Sequence, residues 1–161
     1  MVCAQIPGIP GIWQQAHLFH FGVFSPHAPV PAWGDSWKIC MKVYAFDVDE
    51  TLYLSQGPVQ WEALVALRAE GHVLGLCGNW AAVTLQVPEW HRVLSFIGPS
   101  LIGIDKANFL ATIKQYVPAE EHVMVGNDHS LRAYASPDDR RAADAAGWRF
   151  LSEGAFAAGD R

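Results

Sequence analysis

Lys42-Val43-Tyr44-Ala45-Phe46-Asp47-Val48-Asp49-Glu50-Thr51-Leu52 is the stretch on which the reading of the whole chain turns. The apolar, aromatic and β-branched character of residues 42–46 predicts a strand buried within a parallel sheet. Three carboxylates, Asp47, Asp49 and Glu50, arrive at its C-terminal end. That end of an open α/β sheet is where ligands and chemistry collect. Extended backbone places residues two apart on the same side, so Asp47 and Asp49 converge on one point. Carboxylates held that close repel each other unless a shared proton or a cation relieves them. Mg²⁺, a hard cation that takes oxygen ligands, is the natural answer.

Outward from this stretch, strands and helices alternate. A short polar connection spans 53–57. Pro58 is placed to open a helix at its first position, and Trp61, Leu64, Val65 and Arg68 follow at helical spacing, giving a helix over 59–70 closed by Gly71. A second strand is expected over 72–76, a short helix over 81–87 ended by Pro88, and a third strand over 92–97. Asp105 has the character of an N-cap for a helix over 106–117, whose apolar Phe109, Leu110, Ile113, Tyr116 and Val117 recur at helical spacing. A fourth strand covers 122–125. Residues 129–137 form a loop, and Ser136-Pro137-Asp138-Asp139 enters a last helix capped by Gly147. A fifth strand covers 148–151, and the Ala/Gly-containing tail after Phe156 is expected to fray. Alternation of this kind predicts an α/β fold with a central, mostly parallel sheet of about five strands and right-handed crossovers.

Asp47-Val48-Asp49-Glu50-Thr51-Leu52 after a hydrophobic strand resembles the first motif of the haloacid dehalogenase (HAD) superfamily, most of whose members are phosphatases. The resemblance extends over most of 41–151. His72-Val73-Leu74-Gly75-Leu76-Cys77-Gly78-Asn79 stands where the second motif, a strand ending in Ser or Thr, belongs. Cys77 occupies the hydroxyl position, and a thiol donates more weakly than a hydroxyl; a small buried hydrophobe at a strand end is the alternative. Gly103-Ile104-Asp105-Lys106 resembles the third motif, a lysine at a helix N-terminus, a place suited to a phosphoryl group. Val123-Met124-Val125-Gly126-Asn127-Asp128 resembles the fourth, with Asn127 where an Asp is expected and Asp128 adjacent. The second acid of that motif is assigned to Asp139, with Asp138 as the alternative.

The resemblance implies a HAD-like Rossmannoid three-layer fold and a Mg²⁺-dependent hydrolase working through an aspartyl-phosphate. Asp47 would be the nucleophile, Asp49 the general acid and base, and Lys106 the neutralising cation. Cys77, Gly78 (through its backbone N–H), Asn79 and Lys106 would bind the substrate phosphate. Asp47, the Asp49 carbonyl and Asn127 or Asp128 would hold the metal, with Asp139 in support. The short gaps after the first and second motifs imply no cap domain. An open site then suits a large phosphorylated substrate or closure by a second subunit. Trp80 and Trp90 are candidates for its entrance, with packing as their alternative. Departures at Cys77 and Asn127 open a second reading, a degenerate HAD domain that binds a metal or partner without turnover. A phosphotransferase is a third.

The 161 residues correspond to one domain, with 51% hydrophobic and 17% charged residues. A formal net charge of −5 argues against a nucleic-acid-coating surface. Cys3, Cys40 and Cys77 are odd in number and far apart, which favours reduced thiols and a cytoplasmic setting. Residues 1–40 differ from the rest: rich in Pro, Gly and Trp, they contain no Asp, Glu, Lys or Arg before Asp35. They form neither a typical signal peptide nor a membrane span. His17, His20 and His27 lack neighbouring Cys or carboxylate partners for a metal site. The segment is expected to be a loosely docked arm or no part of the native protein, with Met41 starting a HAD-like domain over 41–161.

Overall fold

The structure is a computed structural model that describes residues 41–99, 105–127 and 139–161. The N-terminal segment, Gly103, Ile104, Asp128, the loop over 129–137 and the helix entry at Ser136, Pro137 and Asp138 lie outside the described residues.

Five strands, β1 (Lys42–Phe46), β2 (Val73–Cys77), β3 (Phe96–Gly98), β4 (Glu121–Gly126) and β5 (Arg149–Ser152), form one sheet in the order β3-β2-β1-β4-β5. Every pairing is parallel, with Phe46 opposite Leu76 on one side and Val125 on the other. Being central, β1 is covered on both faces, which is why its run is continuously hydrophobic after Lys42. Tyr44 and Phe46 point into one core with Leu74, Leu76, Val123 and Val125. Val43 and Ala45 point into the other with Met124. Leu64 and Leu67 of α1 (Trp61–Ala69), Val83 of α2 (Trp80–Gln86) and Phe156 of α6 (Glu153–Ala157) close the first core. Leu110 of α4 (Lys106–Tyr116) with Ala143 and Ala146 of α5 (Asp139–Ala146) closes the second.

The connections follow local chemistry. At the end of α1, Gly71 takes φ 92°, its N–H bonds Arg68 O, and the His72 N–H bonds Leu67 O, the paired closure that a left-handed glycine makes possible. Asp105 caps α4, accepting from the N–H groups of Ala107 at 2.8 Å and Asn108 at 3.4 Å.

Two expectations need correction. Pro58 does not open α1, because Val59 forms a bridge with Leu52 and the helix starts at Trp61. A 3-10 turn, Tyr53–Ser55, occupies the expected polar connection. The third strand begins later than its β-prone composition predicts: α3 (Trp90–Val93) takes up the start, with Leu94 N–H bonded to Trp90 O, and only Phe96–Gly98 pairs with β2. Before the tail, the chain also forms a helix that the sequence reading did not include, α6. Ser152 caps α6 through a bond from Ala155 N–H, and Phe156 is buried.

Candidate functional site

The strand order reverses at the centre of this sheet. From β1 the chain moves outward through β2 and β3, then returns to the opposite side of β1 to form β4 and β5. A reversal of this kind leaves a crevice at the C-terminal ends of the two strands where it occurs, here β1 and β4. Asp47 follows β1 and Asn127 follows β4. The Asp47 N–H extends the ladder by one bond, to Val125 O at 2.8 Å, and fixes its backbone between the two strands.

Lys106, the first residue of α4, reaches into this crevice. Its Nζ lies 2.7 Å from Asp47 Oδ1 and 2.6 Å from Asp139 Oδ1, and all three side chains are buried. Asp139 Oδ2 accepts the Asn127 N–H at 3.2 Å. Two carboxylates and one ammonium leave one negative charge in excess. Burial pushes both carboxyls up, Asp47 against the pull of Lys106, and Asp139 to about 6 with the Asp47 charge adding to the effect. Burial alone would depress the Lys106 ammonium, but the two carboxylates outweigh it and hold its pKa above the ordinary lysine value.

Asp49 stands one step outward. Its exposed carboxylate accepts from Asn79 Nδ2 at 3.2 Å, and its carbonyl accepts from Asn127 Nδ2 at 2.8 Å. Glu50 then turns the chain with φ 58°, and its N–H bonds Ser55 O at 2.9 Å.

Asp47, Asp49, Asn79, Lys106, Asn127 and Asp139 are thus joined in one network. Asp128, the alternative metal ligand, lies outside the described residues. Of the second-motif residues, Asn79 joins this network, whereas Cys77 and the Gly78 N–H do not. Cys77 is fully buried in the apolar cluster of Val43, Ala45, Leu110 and Met124, and burial pushes its thiol to about 12. The Gly78 N–H, expected to meet a phosphoryl oxygen, donates to Gly98 O at 3.1 Å. Gly78 matters through what it lacks, since a Cβ there would stand 2.5 Å from Asp47 Oδ1.

Thr51 and Gly126 belong to the site without having been singled out from the sequence. Thr51 is fully buried, and its Oγ1 lies 3.4 Å from both Asp47 Oδ2 and Asn127 Oδ1. A hydroxyl between Val48 and Leu52, four residues after Asp47, is the available signal. A Cβ on Gly126 would collide with Asp139 Oδ2. Gly126→Ala is therefore expected to displace the Asp139 carboxylate and cost about 1–3 kcal/mol by overpacking, measured by urea denaturation.

Among the described residues no group of three or more His, Cys, Asp or Glu side chains is arranged to hold a metal ion. The donor set here is of another kind. The Asp47 oxygen not held by Lys106, the Asp49 carbonyl (here bonded by Asn127 Nδ2) and Asn127 Oδ1 (here facing Thr51) are oxygen donors beside a buried negative excess, a donor chemistry that fits Mg²⁺. Among the described residues, no helix is long and apolar enough to cross a membrane. No family model matches the chain, and no curated protein or solved structure matches it.

Proposed function

We propose that the chain is a capless phosphatase of the HAD type, hydrolysing a phosphoric monoester through an aspartyl-phosphate on Asp47 with Mg²⁺ as cofactor. The observation that carries this reading is the Lys106 ammonium bonded to Asp47 and Asp139 at the strand-order reversal. A nucleophilic carboxylate, a fixed cation and a second acid are the parts that in-line attack on a phosphoryl group requires.

In the first step an Asp47 oxygen bonds phosphorus as the bond to the leaving oxygen breaks. Asp49, exposed and oriented by Asn79, supplies the proton that the leaving oxygen needs. In the second, Asp49 as carboxylate takes a proton from water while the water oxygen bonds phosphorus. The bond to Asp47 breaks and inorganic phosphate departs. Lys106 offsets phosphoryl charge through both steps. When bound by Asp47, the Asp49 carbonyl and Asn127 or Asp128, Mg²⁺ would shield Asp47 from the anionic substrate.

The connection from β1 to α1 holds only a 3-10 turn and one bridge, and this brevity supports the capless form. Such an open site suits a large phosphorylated substrate or closure by a second copy of the chain.

Turnover of p-nitrophenyl phosphate, measured with and without Mg²⁺, tests the proposal. Wild-type hydrolysis is expected to require Mg²⁺ and to vanish in Asp47→Asn; hydrolysis that persists in Asp47→Asn overturns the assignment of the nucleophile. A non-catalytic metal- or partner-binding domain is the second reading. Burial of the Cys77 thiol and engagement of the Gly78 N–H favour it, because both remove expected phosphate donors.

A further inference from the structure

The Asn127 side chain ends in a donor and an acceptor related by half a turn. Its Nδ2 donates to the Asp49 carbonyl at 2.8 Å, and its Oδ1 lies 3.4 Å from Thr51 Oγ1. A carbonyl only accepts, so the end facing Asp49 is the NH₂. The Thr51 hydroxyl is also 3.4 Å from Asp47 Oδ2, so one proton is contested by two acceptors and held closely by neither.

Half a turn of the amide resolves that contest. Nδ2 then donates to Thr51 Oγ1, and the Thr51 proton goes wholly to Asp47 Oδ2. The same turn sets Oδ1 against the Asp49 carbonyl, near the 2.8 Å separation now held by nitrogen. Two oxygens at that distance repel unless a cation lies against both. Neighbouring oxygens around octahedral Mg²⁺ are about 3 Å apart, given Mg–O bonds of about 2.1 Å. An aspartate at this position would have no nitrogen to turn inward.

We propose that the Asn127 amide is a two-position gate on the cation site. With nitrogen inward it ties off the Asp49 carbonyl; with oxygen inward it admits a divalent cation, and the Thr51 hydroxyl stabilises the open position. The inference rests on the cation-dependent reading above. Each binding event must break the Nδ2–H···O bond to Asp49, so the wild-type chain binds Mg²⁺ weakly.

The test uses the full chain and Mg²⁺ itself. Calorimetric titration is expected to show at least tenfold tighter Mg²⁺ binding in Asn127→Asp than in wild type. Thr51→Val is expected to bind at least threefold more weakly than wild type. In ¹⁵N-labelled wild type, the Asn127 side-chain amide pair, assigned by its loss in Asn127→Ala, should shift along the same binding curve. Binding by Asn127→Asp that is no tighter than wild type overturns the gate, as does an amide pair that stays in place while wild type saturates. If Asn127→Asp fails to fold, the wild-type amide pair and Thr51→Val decide. Phosphatase assays separate this from the proposed function: Mg²⁺-dependent turnover with an unmoved amide removes the gate and leaves the enzyme. An amide that moves with Mg²⁺ in a chain without turnover does the reverse.

Discussion

Lys106→Met is expected to cost about 3–5 kcal/mol of stability at pH 8, the range for removing one partner of a buried ion pair. The reason is geometric. Asp47 and Asp139 both reach the same ammonium, within 2.7 Å and 2.6 Å, and are buried with it. Without that ammonium two buried carboxylates face each other uncompensated. The pH dependence has a definite sign. A lysine whose folded pKa is raised contributes stability that is fully present below its unfolded pKa and lost as pH rises through the folded one, so the deficit of the variant is largest at neutral and mildly alkaline pH. A carboxyl held high, as Asp139 is at about 6, binds its proton more tightly when folded. Protonation as pH falls from about 6 towards the ordinary carboxylate range therefore stabilises the fold relative to the unfolded chain. In the variant both carboxyls rise further, and the deficit should shrink by pH 5. Urea midpoints at the two pH values check this, and a pH-independent deficit would contradict the charge argument.

Phe156→Ala is expected to cost a similar amount, about 3–5 kcal/mol, through loss of a buried aromatic side chain. The Phe156 ring packs edge-on against Phe46 at 5.2 Å and Tyr44 at 6.4 Å, both on β1, while the Arg161 guanidinium covers it at 4.2 Å. A cavity there opens beneath the strand that carries Asp47, and thermal denaturation would report it. A loss below about 1 kcal/mol would mean that α6 packs too loosely to support β1.

The strand and helix that carry Asp47 and Lys106 were largely legible in the sequence because their signals are local. A continuous apolar run before two acids identifies β1, and an Asp followed by apolar residues at helical spacing identifies Asp105 and α4. Asp139 was legible through the helix it enters. Signals that depend on partners far along the chain were not. Phe156 lies in a stretch of Ala and Gly with weak helical periodicity, and only Phe46 and Tyr44 explain its order. Arg92-Val93-Leu94 has the composition of a strand, yet the turn at Pro88 continues as helix, and bonding to β2 begins only with the Ser95 N–H, which donates to Leu74 O. Thr51 acquires its meaning from Asn127, 76 positions away. The burial of Cys77 and the bond from the Gly78 N–H to Gly98 O were not legible for a related reason, since a motif position does not say which groups the fold has already engaged.

The reversal of strand order also governs how the chain can assemble. Val43 pairs with Val73 after a short excursion but meets its other neighbour only at His122. During synthesis β1, β2 and β3 can associate early, while the far edge of β1 stays open until β4 emerges. Unpaired edges of hydrophobic strands are templates for association with other chains. Chains interrupted before residue 121 should therefore aggregate through β1, and Lys106 would meet Asp47 well before Asp139 is available to share it.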